Sequence, residues 1–271
     1  MTVDNPQGEP VSNDQQATVH LGDALAWLQT LETASVDAVI TDPPYSSGGM
    51  VRGDRANTST KVKYTGDKND SQYADFSCDN RDQRGWGYWM TLWLSEALRV
   101  TKPGGVLVMF CDWRQLPTAT DVIQSGGWVW RGLVPWIKPD SRPQLGRFTQ
   151  NAEFVAWGSN GPMPFEGDCL PGYYLARAPR ANEGRAHITQ KPVDVLRSLV
   201  RIAPHGGLVI DPFTGSGTTG VACIHEGRRF AGCESVAAHH ATALRRIKIA
   251  RGSAVSDGLQ EAFELNLGEA S

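Results

Sequence analysis

The segment Leu208-Val209-Ile210-Asp211-Pro212-Phe213-Thr214-Gly215-Ser216-Gly217-Thr218-Thr219 reads as a short buried strand, a glycine-bearing turn and the opening of a helix. Glycine lets a backbone approach a ligand closely, and a helix N-terminus presents unpaired N–H groups to a negative group. Glu234 stands at the end of the next strand candidate, where an acid can accept hydrogen bonds from ribose hydroxyls. The turn therefore points to a nucleoside-containing ligand. It is not a phosphate loop, because no lysine follows Gly217. Gly215, Gly217 and Gly220 do meet the spacing of a nicotinamide fingerprint, although the Asp211-Pro212-Phe213 lead-in is foreign to it.

Outward from this turn, short strand-type and helix-type stretches alternate, the pattern of an α/β sheet with mainly parallel strands. Strands are expected over residues 18–21, 36–41, 106–110, 128–136, 153–157, 208–210 and 229–233. Helices are expected over 24–31, 86–100, 115–125, 193–202, 218–226 and 236–251. Lys102-Pro103-Gly104-Gly105 reads as the stop between a helix and the strand after it. Residues 46–85 and 158–186 break all periodicity and are longer than ordinary connections, so they read as insertions that are either functional or disordered. Residues 1–17 and 252–271 read as polar tails around one domain, 18–251.

Composition narrows the class. The chain has 271 residues, 40% of them hydrophobic, with nine Trp, enough for a sizeable core. No apolar run reaches membrane-helix length, and the polar N-terminus lacks a signal pattern, so a cytoplasmic protein is expected. The five Cys form no Cys-x-x-Cys pair and sit beside no His at ligand spacing, which argues against a structural zinc site and a disulfide framework. Net charge is −3, yet residues 1–51 hold seven acids and no Lys or Arg, leaving 26 basic against 22 acidic residues, or +4, for the remainder. That distribution permits a nucleic-acid surface.

Two further segments carry chemistry. Asp42-Pro43-Pro44-Tyr45 follows the strand at 36–41, and the prolines forbid its continuation. In an open α/β sheet ligands bind at that carboxyl edge. A carboxylate, carbonyl acceptors without competing N–H groups and an aromatic ring together suit a planar ring bearing an amine. His187-Ile188-Thr189-Gln190-Lys191-Pro192 precedes a helix; Thr189 is a candidate cap, and Lys191 is placed to reach a carboxylate at the same edge.

In this order the three elements resemble the β-group of amino-methyltransferases acting on DNA, from about Val19 to Arg251. Leu21-Gly22-Asp23-Ala24-Leu25 is similar to that family's adenine-pocket segment, and Val134-Pro135-Trp136-Ile137-Lys138 to its late-strand Trp-x-Lys pattern. The resemblance implies a Rossmann-like methyltransferase fold, α/β, with a mostly parallel twisted sheet, helices on both faces and circularly permuted motif order. It implies S-adenosylmethionine as cofactor and no metal. By the same resemblance Asp211, Phe213, Gly215, Ser216, Gly217, Thr218 and Thr219 line the methionine part, and Glu234 holds the ribose. Asp23 and Ala24 take the adenine, while Thr189 and Lys191 meet the amino acid end. Asp42, Pro43, Pro44 and Tyr45 form the site of a flipped base in double-stranded DNA, with the 46–85 and 158–186 insertions contacting DNA.

Asp at position 42 resembles the adenine-N6 members, so transfer to adenine N6 is the expected activity. Cytosine-N4 transfer, methylation of RNA or a protein amide, and an inactive DNA-binding relative are the alternatives. A homodimer and a cognate restriction endonuclease are the partners such a family implies.

Overall fold

A computed structural model describes residues 17–46, 81–141, 143, 145–146, 148–164, 166–179 and 190–268, the last fourteen as backbone only. Thr189, the N-terminal tail up to residue 16 and all but the ends of the 46–85 insertion lie outside these residues. The elements are β1 (Ala17–Leu21), α1 (Ala24–Thr30), β2 (Val36–Thr41), α2 (Gln83–Val100), β3 (Thr101–Cys111), α3 (Leu116–Ser125) and β4 (Val129–Ile137). Then follow β5 (Ala152–Ser159), β6 (Tyr174–Leu175), α4 (Val193–Val200), β7 (Leu208–Asp211), α5 (Thr218–His225), β8 (Arg229–Glu234) and α6 (Ala237–Gly268).

One sheet runs in the order β1-β8-β7-β2-β3-β5-β4-β6. The pairs from β1 to β3 are parallel, whereas β5 runs antiparallel to both β3 and β4. Alternation along β3 shows why the sheet needs cover on two sides. Val106, Val108 and Phe110 pack with α4, α5 and α6, while Leu107, Met109 and Cys111 pack with α1, α2 and α3. The chain leaves β2 in one direction toward β3 and β5, and β7 in the other toward β8 and β1. Strand order therefore reverses between β2 and β7, the place where open α/β sheets bind ligands.

Three boundaries differ from the sequence reading, each for a local reason. Lys102–Gly105 does not end α2 outside the sheet but enters β3 as an irregularity, with pairing slipping between Val36 and Ala38. Gly104, at φ +79°, donates its N–H to the Asn160 carbonyl at 2.7 Å, so the turn is absorbed by the neighbouring strand end. Helix α2 begins at Gln83 because Asp82 caps it, accepting from the Gly85 N–H at 2.7 Å. Helix α6 continues to Gly268, past the expected end at residue 251, since no proline interrupts it.

At the reversal point β2 and β7 are tied by a side-chain bond. Thr41 Oγ1 donates to Asp211 Oδ1 at 2.7 Å, joining residues 170 apart in the chain. Asp211 is buried, and it also accepts from the Phe213 N–H at 3.0 Å and Thr219 Oγ1 at 2.7 Å. Burial outweighs these bonds and pushes its carboxyl up to about 6. A raised carboxyl binds its proton more tightly in the folded chain than in the unfolded one. Stability from this group is therefore complete at low pH and is lost as pH rises from about 4 to about 6. The loss amounts to about 3 kcal/mol at the upper end. Asp211→Asn, which keeps the shape, should lack this component. Urea unfolding of both proteins across that pH range checks it: the wild-type stability should fall relative to the variant, and a constant difference would contradict the assignment.

Candidate functional site

Strand direction decides which side chains meet at the reversal point. Asp42 leaves the carboxyl end of β2, and Lys138 follows the carboxyl end of β4. Because β5 is antiparallel, its second residue, Glu153, sits at that same edge, opposite Trp136. Lys191 arrives from the segment before α4, which Pro192 opens. These four charged side chains form one cluster.

Lys191 Nζ lies 2.6 Å from Asp42 Oδ2 and 3.3 Å from Glu153 Oε2. Lys138 Nζ bonds Glu153 Oε1 and lies over the Trp136 ring at 4.8 Å. The Tyr45 hydroxyl is 2.6 Å from Asp42 Oδ1 and 3.1 Å from Glu153 Oε2. Lys191 stands over the Tyr45 ring at 5.2 Å and the Phe110 ring at 5.1 Å. The Lys191 side chain is 7% exposed and that of Asp42 26%, so the carboxylate is the more exposed member of the pair.

Burial sets the protonation of this cluster against its charges. For Lys191 burial favours the neutral form, but Asp42 and then Glu153 carry it above the ordinary lysine range. Burial would raise Glu153, yet Lys191 and Lys138 pull it down to about 2. Burial raises Asp42 against the pull of Lys191. Burial together with the nearby Asp42 and Glu153 charges holds the Tyr45 phenol well above its usual range, so it keeps its proton. Cys111, at the end of β3, is pushed up to about 12 by burial and offers no thiolate nucleophile.

The rest of the Asp42-Pro43-Pro44-Tyr45 segment is pinned from the other side of the sheet. Trp86 Nε1 of α2 donates to the Pro44 carbonyl at 2.8 Å, which commits that acceptor. Trp89 and Trp93 of the same helix meet the Phe213 ring edge-on, at centroid distances of 5.4 and 5.2 Å. One helix thus holds both the proline segment and the glycine turn.

In that turn the two glycines serve different purposes. Gly217, at φ +82°, faces α6: a Cβ there would lie 2.9 Å from both Cα and Cβ of Ala243. Its left-handed backbone and its packing against α6 each require glycine there. Gly215, at φ +54°, borders open space, since a Cβ there would meet only the Phe213 carbonyl, at 4.0 Å. Ser216 and Thr218 face Arg246 of α6, whose Nη1 lies 2.9 and 3.1 Å from their hydroxyls. Thr219 holds Asp211.

Glu234 accepts from the Gly215 and Val236 N–H groups, each at 2.8 Å. Asp23 Oδ1 caps α1 through the Ala26 N–H at 3.0 Å, beside Ala24. Since Leu21 is opposite Glu234 in the sheet, Asp23 and Glu234 stand at the ends of adjacent strands. Two carboxylates next to an open glycine turn suit a ligand with an aromatic amine, ribose hydroxyls and an amino acid tail.

The sequence reading brought Asp42, Tyr45, Lys191 and the glycine turn to one edge, and missed Glu153, Arg246 and the tryptophans of α2 as members. An acid inside the otherwise apolar stretch Ala152–Ser159, shortly after Lys138, is the signal that singles out Glu153.

Comparison with known proteins agrees with this arrangement. The N6/N4 methyltransferase family model, described as DNA methylase, matches residues 36–245. The type II methyltransferase M2.MboI of Moraxella bovis is 24% identical over 243 residues, covering 82% of this chain and 84% of its own. Two solved structures share the fold. The M1.HpyAVI–SAM complex has a TM-score of 0.60 and 24% identity, covering 85% of this chain and 98% of its own. The PvuII cytosine-N4-specific DNA methyltransferase has a TM-score of 0.65 and 17% identity, covering 89% and 93%. No helix among the described residues is long and apolar enough to cross a membrane. The chain belongs to the N6/N4 family of DNA methylases, enzymes that depend on S-adenosylmethionine.

Proposed function

We propose that this protein methylates the N6 amine of adenine in double-stranded DNA after the base has been flipped out of the helix. The observation that carries the reading is Asp42: a partly exposed carboxylate at the sheet reversal point, oriented by Lys191 on one oxygen and Tyr45 on the other. The similarity to a type II methyltransferase supports a restriction–modification setting, in which a cognate endonuclease would be the partner.

Gly215, Phe213 and the backbone of residues 216–219 would hold the methionine part of the cofactor, above the buried Asp211. Glu234 would hold its ribose, and Asp23 with Ala24 its adenine. In the expected role for Thr189 and Lys191, the lysine reaches the amino acid end from its place beside Asp42. When bound, S-adenosylmethionine supplies an electrophilic methyl group on its sulfonium.

The chain's own residues prepare the other partner. An exocyclic adenine amine is a poor nucleophile because its lone pair is delocalised into the ring. Asp42 accepts a hydrogen bond from one amine hydrogen and the Pro43 carbonyl from the other, which localises the lone pair as positive charge grows on nitrogen. The Pro44 carbonyl, committed to Trp86, keeps the segment in place. Tyr45 stacks on the flipped base with the ring face opposite Lys191. Alignment of amine and methyl adds the remaining advantage. No covalent enzyme intermediate is needed, in keeping with the protonated Cys111.

Nucleoside analysis of DNA methylated by the protein tests the target atom. N6-methyladenine is expected, and N4-methylcytosine alone would replace this reading with its cytosine counterpart. Asp42→Ala should slow single-turnover transfer by about a hundred- to a thousandfold per folded molecule, the loss of one acceptor aimed at developing charge. Tyr45→Ala should weaken capture of the base by about 1 to 3 kcal/mol. Full activity in the Asp42→Ala protein would end the catalytic assignment. The two glycines should separate in calorimetry and melting. Gly217→Val is expected to lower the melting temperature sharply by colliding with Ala243. Gly215→Asn, which tolerates the left-handed backbone, should melt nearly normally while binding S-adenosylmethionine more weakly.

A further inference from the structure

The Tyr45 hydroxyl has one proton and two carboxylates within reach. Its oxygen lies 2.6 Å from Asp42 Oδ1 and 3.1 Å from Glu153 Oε2, so in this structure it donates to Asp42. The second contact then places a phenol oxygen against a carboxylate oxygen with no proton between them. Lys191 makes that arrangement tolerable, since its ammonium is 3.3 Å from the same Oε2. Glu153 is itself held at both ends, by Lys138 on Oε1 and Lys191 on Oε2, with a side chain only 17% exposed. It is an acceptor fixed in place and not used by the mechanism above.

We propose that Glu153 is a positioning residue for methyl transfer: when the target amine donates to Asp42 Oδ1, the Tyr45 hydroxyl turns its proton from Asp42 to Glu153 Oε2. The idea rests on the reading of Asp42 as the amine's acceptor. Its physical reason is competition. A short charge-assisted bond from Tyr45 occupies acceptor capacity on the oxygen that the amine needs, and the amine hydrogen becomes a stronger donor as charge grows on nitrogen. Rotation about the phenol C–O bond moves the proton without displacing any heavy atom. The Tyr45 ring stays anchored for stacking, and Asp42 Oδ1 faces the amine alone. In the free protein the same proton caps Asp42 and keeps its partly buried carboxylate satisfied.

A double-mutant cycle in the full-length protein tests this. Single-turnover methylation is followed with labelled S-adenosylmethionine on a duplex containing a site that the wild-type protein methylates. Glu153→Gln should slow transfer by about tenfold or more when Tyr45 is present, the worth of a hydrogen bond to a charged group. In a Tyr45→Phe background, where no proton needs a second acceptor, the same substitution should cost several-fold less, leaving only its effect through the lysines. An equal loss in both backgrounds would overturn the proposal, because Glu153 would then act only through its lysines or through the fold. No loss in the presence of Tyr45 would overturn it as well.

Glu153→Asp covers the case in which the glutamine protein does not fold. It keeps the charge for Lys138 and Lys191 but withdraws the oxygen from Tyr45. It should melt near the wild type, bind S-adenosylmethionine normally and show the same rate loss, and a wild-type rate would count against the idea. Nucleoside analysis of the wild-type product is run alongside. A cytosine product would refute the choice of adenine while leaving the cycle interpretable for either amine.

Discussion

The contact between Lys191 and Asp42 is the constraint around which the proposed catalytic edge is arranged. It joins residues 149 apart in the chain at 2.6 Å, with the lysine almost fully enclosed. A buried ammonium is tolerable only with anionic partners, and a buried carboxylate only with donors. From that requirement follow Glu153 as second anion, Lys138 as second cation and Tyr45 as the neutral link between the acids. The cluster is balanced, two positive and two negative groups, so no single member can be removed without leaving an unpaired charge. Such a network fixes geometry more than it adds stability, which suits the proposed role of aiming one carboxylate oxygen.

The cofactor side obeys a different logic. Its acids are held mainly by backbone N–H groups and hydroxyls: Glu234 by Gly215 and Val236, with His239 4.0 Å away, and Asp211 by Thr41, Thr219 and Phe213. The two halves meet through Thr41, which belongs to the strand of one and bonds the acid of the other. They meet again through α2, whose tryptophans touch both Pro44 and Phe213.

Much of this was legible in the residues because punctuation is local. Prolines after Asp42 and Asp211 end their strands wherever the strands lie, and glycines mark the turn before α5. Alternating strand and helix patterns were enough for the α/β class. Direction was not legible: Ala152–Ser159 has the pattern of a buried strand whichever way it runs. Only its antiparallel placement brings Glu153, and not the opposite end, to the catalytic edge. Gly217 shows a second limit. A glycine required by a distant helix and one required by a ligand look identical in a single sequence, and the neighbour that decides, Ala243, arrives 26 residues later. The tryptophans of α2 read as ordinary core, which they also are.

The pairing of β1 with β8 has a kinetic consequence. Around this edge the bonds from His240 to Val19 and from Arg251 to Ala17 span 221 and 234 residues. Contacts this distant in sequence pay their loop-closure entropy before anything rewards it, and they slow folding. During synthesis β1 emerges first yet has no strand to pair with until β8 has left the ribosome. The proline segment after β2 likewise waits for Lys191, and Thr41 waits for Asp211. Neither half of the proposed active site can be assembled early, since both are completed by residues in the last third of the chain. An interrupted chain then carries exposed strand edges and buried-type charges without their counter-charges, a state that quality control is built to remove.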